Sequence, residues 1–285
     1  MFKHLLVPLD GSRLAEVALP MAAYLAERVG ATVTLVHIIE RGASAEVHGE
    51  RHLTSPEEAH AYLEETASRA FTPQQQVQQH VHSAEMDDVA VGIADHIEEL
   101  RPDLIIMCTH GHGGLRNVLY GSIAQQVVSH GTIPVLLIQP AGDGMPPDGG
   151  CHRLLVPLDA SPEHEQSLQS AAELARACQA ALHLVLVVPT LSTLSGEQAG
   201  IGRLLPGTTT HMLEIASQEA ETHLRSHVQR LQATGITASA EITRGDPAAE
   251  IVETALETKA DMIVLGTHGK SGIDAFWSGS IAPKV

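Results

Sequence analysis

The chain repeats itself. Leu5-Leu6-Val7-Pro8-Leu9-Asp10-Gly11-Ser12 returns 149 residues later as Leu154-Leu155-Val156-Pro157-Leu158-Asp159-Ala160-Ser161. Asp103-Leu104-Ile105-Ile106-Met107-Cys108-Thr109-His110-Gly111 returns 158 residues on, as Asp261-Met262-Ile263-Val264-Leu265-Gly266-Thr267-His268-Gly269, so the second copy carries nine more residues in its middle. Each copy has the length of an ordinary domain. The boundaries read as 1–140 for the first copy, a Gly/Pro-rich linker over 141–150, and 151–285 for the second.

Within the first copy, short apolar runs alternate with amphipathic stretches. The pattern predicts strands at Leu5–Leu9, Thr32–Ile39, Val77–His82, Leu104–Cys108 and Val135–Ile138. Helices are expected from Ser12 to about Val29, kinked at Pro20, then near Pro56–Phe71, near Asp88–Leu100, and from Ser122. Continuous Val/Ile/Leu runs suit parallel strands covered on both faces, and the alternation gives a doubly wound α/β sheet. The expected architecture is two tandem five-stranded parallel-sheet domains. The second is expected to lack its last helix and strand, since Gly279-Ser280-Ile281-Ala282 matches only the start of Gly121-Ser122-Ile123-Ala124-Gln125.

Composition narrows the partners. Acidic residues number 34 against 17 basic ones, and a net charge of −17 repels phosphate backbones and anionic lipid. Aromatics are only 2%, which leaves little to stack on bases. Nucleic acid and membrane insertion are therefore excluded as expectations. Cys108, Cys151 and Cys178 have no C-x-x-C spacing and read as reduced thiols, which with the early Asp10 points to the cytoplasm.

Two segments of each copy fall at the carboxyl ends of strands, where open α/β sheets bind ligands. One is the acid that ends the first strand, Asp10 or Asp159. The other is a glycine-rich loop, 110–122 or 268–280, whose Gly-Ser pair opens a helix. Glycines let backbone N–H groups converge on phosphate oxygens, and the helix amino terminus favours an anion. A carboxylate opposite them can accept from a ribose or an adenine amino group. Either element alone reads more simply as a turn or a cap; their joint recurrence in both copies favours a nucleotide site.

At these residues the chain resembles the universal stress protein family. The first strand reads V-P-L-D-x-S, and Gly266-x2-Gly269-x9-Gly279-Ser280 is similar to the G-x2-G-x9-G-[S/T] string of its ATP-binding members. The resemblance spans both copies. It implies a five-stranded parallel sheet of the adenine nucleotide alpha hydrolase-like type, a stress-response role, dimers or tandem pseudo-dimers, and ATP as ligand, with or without Mg2+. It also implies site residues: Pro157, Asp159, Val187, Gly266, Gly269, Gly279, Ser280 and Ile281 in copy two. In copy one they are Pro8, Asp10, Ile38, Gly111, Gly121, Ser122 and Ile123, with Arg116 as an added phosphate contact. Copy one departs from the pattern at Cys108, which replaces the first loop glycine, and at Asp87, where copy two has Gly245. Copy two is thus expected to bind ATP and copy one to bind weakly.

Other constellations carry less. Thr109-His110-Gly111-His112 fits the histidine string of nucleotidyltransferases but follows the fourth strand, not the first, and copy two has Lys270 in place of His112. His48, His52 and His60 with Glu46 and Glu50 read as solvated surface, and no metal site is expected. His80 and His82 share one wet strand face, Cys108 is an inert buried thiol, and Trp277 anchors a loop. No nucleophile–base set recurs, so at most slow ATP hydrolysis is expected. The rival readings are an enzyme acting on adenylates and a ligand-free scaffold. In the family the last strand mediates pairing. Only Val135–Ile138 supplies one here, so the two copies cannot pair symmetrically through it. This leaves either an exposed edge or one completed by another chain, as in a homodimer through that sheet edge.

Overall fold

The computed structural model describes residues 2–44, 46–47, 49–109, 122–130, 133–140, 150–158, 165–194, 196–266 and 285. Contacts divide the chain into two units that part between Gly150 and Cys151.

The first unit runs β1 (His4–Pro8), α1 (Arg13–Glu16), α2 (Leu19–Val29), β2 (Thr32–Glu40), β3 (Glu46–Val47), β4 (Glu50–Arg51), α3 (Pro56–Ala70), β5 (Val77–Met86), α4 (Val89–Leu100), β6 (Leu104–Cys108), α5 (Ser122–His130) and β7 (Val135–Ile138). Its sheet has the order β5-β2-β1-β6-β7, with every pairing parallel. The chain moves outward from β1 to β2 and β5, then returns to β6 and β7. The order therefore reverses between β1 and β6. Leu6, Ile105 and Val36 are fully or almost fully buried at the centre, with Ile93 and Ile97 of α4 and Val127 of α5 packed over them. Burial of this kind stabilises by about 25 cal/mol for each Å² of apolar surface removed from water.

The expected long first helix is instead two helices. Pro20 has no N–H and its ring excludes a helical carbonyl four residues earlier, at Glu16. Accordingly α1 stops at Glu16, Ala18 caps a new helix, and Pro20 lies in the first turn of α2, where it is tolerated. A further difference is the antiparallel β3–β4 hairpin, in a stretch expected to be a plain connection. Arg13 N donates to Glu50 at 2.6 Å, which ties this hairpin to the start of α1. Strand β5 also runs four residues past His82, with a register shift between Ile38 and Glu40.

The second unit runs β8 (Arg153–Leu158), α6 (Glu165–Cys178), β9 (Ala181–Val188), α7 (Gly196–Leu204), α8 (Pro206–Ala233), β10 (Ala238–Arg244), α9 (Pro247–Thr258) and β11 (Met262–Ile263). Its described sheet has four parallel strands in the order β10-β9-β8-β11, the same order as β5-β2-β1-β6. The extra residues of this copy lie in helix: α8 has 28 residues where α3 has 15. Cys151 and Cys178 are buried neighbours; the hydrogen bond between them, and then burial, push the Cys151 thiol pKa far up. Both copies fold as α/β units on one plan.

Candidate functional site

The site of the first unit follows from strand direction. Parallel strands β1, β2 and β6 end on the same edge, and the reversal of strand order between β1 and β6 leaves a crevice there. A cleft of about 810 Å³, open solvent at its mouth included, occupies this crevice. Pro8, Leu9 and Asp10 line it from β1 and the turn beyond, Ile38 and Glu40 from β2, Met107 and Cys108 from β6, and Ile123 from the first turn of α5. Four residues expected at a ligand site from the sequence, Pro8, Asp10, Ile38 and Ile123, thus surround one hollow.

Local chemistry sets the turn after β1. Asp10 Oδ1 accepts from Ser12 N at 2.9 Å and from Ser12 Oγ at 2.6 Å. Ser12 Oγ in turn accepts from Ala15 N at 3.2 Å and caps α1. Gly11 between them has φ +91°, and a Cβ there would sit 2.9 Å from Leu53. Only glycine meets both demands without strain.

His37 and His52 are cleft residues that the sequence reading missed. His37 is buried; its Nδ1 donates to Leu9 O at 2.8 Å, and Nε2 lies 3.4 Å from Leu53 O. Burial lowers its pKa below the ordinary imidazole value, against a raising effect of the Leu9 bond. A fully apolar β2 would have given no such fastening, and the apolar run around His37 was the available signal. His52, expected on solvated surface, is instead buried with Nδ1 unpartnered, because the β3–β4 hairpin carries it under the cleft wall. Nothing in its local sequence encodes that placement.

Cys108 forms part of the cleft lining. Its Sγ donates to Thr109 O at 3.0 Å, and burial, reinforced by the charge of Asp10, pushes its pKa up to about 11. At neutral pH it is a thiol, so it presents bulk and no negative charge to the cleft. Asp87, expected to add negative charge, is held on the exterior by Arg41, at 3.0 Å from both carboxylate oxygens. At the matching Gly245 a Cβ would collide with the Glu250 side chain.

Donors and acceptors for a nucleotide are both at hand. Asp10 and Glu40 supply carboxylates, and Ile123 of the first turn of α5 lines the same hollow, at a helix end whose N–H groups have no partner within the helix. Gly111, Arg116 and Gly121 lie outside the described residues, as does the side chain of Ser122. In the second unit, Pro157 is half-buried on β8, Val187 packs against Leu155, Val185 and Ile251, and Gly266 follows β11. Asp159, Gly269, Gly279, Ser280 and Ile281 lie outside the described residues.

Comparison with known proteins agrees with this fold. The model of the universal stress protein family matches residues 1–139 and again 150–285. The universal stress protein E homolog of Haemophilus influenzae is 25% identical, over 100% of this chain and 94% of its own length. The universal stress protein A homolog 1 of Coxiella burnetii is 30% identical, over 48% of this chain and 96% of its own. Among solved structures, a universal stress protein of Archaeoglobus fulgidus superposes with a TM-score of 0.67 at 17% identity, covering 99% of this chain and 93% of that one. A likeness at that identity speaks for the fold. The chain belongs to the universal stress protein family, with two of its domains in tandem.

Proposed function

We propose that the chain binds adenine nucleotide, ATP with or without Mg2+, and acts as a sensor or signalling module of a stress response rather than as a dedicated enzyme. The single observation that carries this reading is the cleft at the strand-order reversal of the first unit. There Asp10 and Ile123, in the first turn of α5, line one hollow together with Ile38 and Met107. A carboxylate and a helix start in one hollow suit a molecule that carries both a hydrogen-donating sugar or base and an anion.

The two copies divide the work. In copy two, Gly266, Gly269, Gly279, Ser280 and Ile281 form the fuller phosphate motif, with Pro157, Asp159 and Val187 on the base and sugar side. In copy one the loop residues are Gly111, Gly121 and Ser122, with Arg116 available to phosphate, while Cys108 takes room from the ligand. Copy one is therefore the weaker site. Mg2+, when bound, would neutralise phosphate charge; the chain's own share is orientation by Asp10 and Asp159 and amide donation from the loops.

Mass analysis of small molecules released from the purified full chain tests the reading. Adenine nucleotide at up to one molecule per copy is expected, and much less from Gly279→Glu, whose side chain places a like charge where phosphate would sit. Release of no nucleotide from a chain that also fails to take up added ATP would overturn it.

A further inference from the structure

Away from the cleft, imidazoles gather between β5 and α4. His80 lies on β5, the edge strand of the first sheet, opposite Val36, and His82 lies opposite Ile38 on the same strand face. The sequence reading left that face to water. Instead α4 covers it, and the His96 ring stands edge-on to both, with centroids 4.5 Å from His80 and 5.0 Å from His82.

His96 is only 3% exposed. Its Nδ1 lies 3.0 Å from Glu99 Oε2. An ionised carboxylate only accepts, so Nδ1 carries the proton and, in the neutral ring, Nε2 carries the lone pair. That Nε2 is buried with no hydrogen-bond partner. A carboxylate holding one nitrogen of a histidine while the other stands bare is the arrangement by which metal-bound imidazoles are oriented.

Ligand atoms of His80, His96 and Glu99 all lie within 4.8 Å of one another. Metal–nitrogen bonds of 2.0–2.1 Å at tetrahedral angles set neighbouring ligand atoms about 3.3 Å apart. His80 is only half-buried, so ordinary side-chain rotation can close the difference. Imidazole nitrogens suit Zn2+ and its transition-metal neighbours rather than Mg2+ or Ca2+.

The second copy supplies the internal contrast. Asp88 caps α4 as Asp246 caps α9, and Glu241 pairs with Val185 as His80 pairs with Val36. In that frame His80, His82 and His96 correspond to Glu241, Thr243 and Thr254. None of these three positions holds an imidazole in the second copy, where Glu241 instead meets His183 of β9 at 2.8 Å, so the fold does not require the cluster.

We propose that His80 and, through Nε2, His96 of the first unit bind a divalent transition-metal ion of the Zn2+ class, with Glu99 holding His96 Nδ1 and His82 beside them as a further donor. None of the four lines the cleft, so the site stands independently of nucleotide.

Titration of the metal-stripped, nucleotide-free full chain with Zn2+ against a chromophoric chelator tests this, with Co2+ read through its visible absorption as a second probe. The native chain is expected to bind Zn2+, with one site weakened at least 10-fold in His80→Gln and in His96→Gln. Glu99→Gln is expected to weaken it by about 10–100-fold. His223→Ala breaks the other close imidazole pair, His223–His227, and is expected to leave that site unchanged. Should the His96 variant lose its native circular dichroism, the His80 and Glu99 variants, at partly exposed positions, carry the test. Native Zn2+ affinity in those two variants, loss in His223→Ala instead, or no Zn2+ binding by the native chain would each overturn the proposal.

Discussion

His37 joins the buried end of β1 to β2, and its burial has a consequence in solution. Its pKa lies below the ordinary imidazole value of about 6.5 because burial disfavours the charged ring, and burial and the neighbouring imidazole of His96 lower His80 in the same direction. The unfolded chain therefore takes up protons near pH 6.5 that the folded chain still refuses. By linkage, this contribution to stability is complete above that pH and drains away as pH falls beneath it. Urea midpoints measured from pH 8 to pH 5 with a chelator present should fall below about pH 6.5, and fall less steeply in His37→Gln. A midpoint that is level across this range, or rises toward acid, would contradict the assignment.

Helix α4 shows how one element serves several ends. Asp88 Oδ1 accepts from Ala90 N at 2.9 Å and Val91 N at 3.3 Å and so starts the helix. Gly92 lets it approach β2, since a Cβ there would lie 2.9 Å from the Ile38 side chain. Val89 and Ile93 then reach the cleft, and His96 meets β5. Asp88→Ala should cost about 1 kcal/mol, read as a lowered urea midpoint of the first unit, whereas Asp88→Ser should retain most of that stability. Equal losses in both would mean that the cap is not what Asp88 contributes. This helix was legible in the sequence because its cap and apolar spacing are local signals. The β3–β4 hairpin was not, because strands of two residues leave no periodicity, and the burial of His52 follows from that hairpin. The break before α2 was half legible: Pro20 marked the place, but whether the helix bends or restarts depends on packing around Val17 and Ala18, both of which are buried.

On the scale of the whole molecule, duplication did most to make the fold readable. Each apolar strand of the first copy except Val135–Ile138 had a counterpart in the second, and a doubly wound sheet is the arrangement that covers such strands on both faces. The cleft followed from topology, since Asp10 at the end of β1 and Ile123 in α5 are far apart in sequence yet line one hollow. The gathering of His80 and His96 could not be foreseen from spacing alone, because it depends on how α4 rotates over the edge strand. A net charge of −17 sets the background against which any anionic ligand binds, so the proposed nucleotide would have to be held by local backbone dipoles and not by the general field.

Calorimetric titration of the nucleotide-free full chain with ATP tests the central claim most directly. The account predicts saturable binding, with the tighter component weakened at least 10-fold by Gly279→Glu and the weaker component removed by Asp10→Ala. Dilution heat alone up to millimolar ATP, or native binding in both variants, would contradict it.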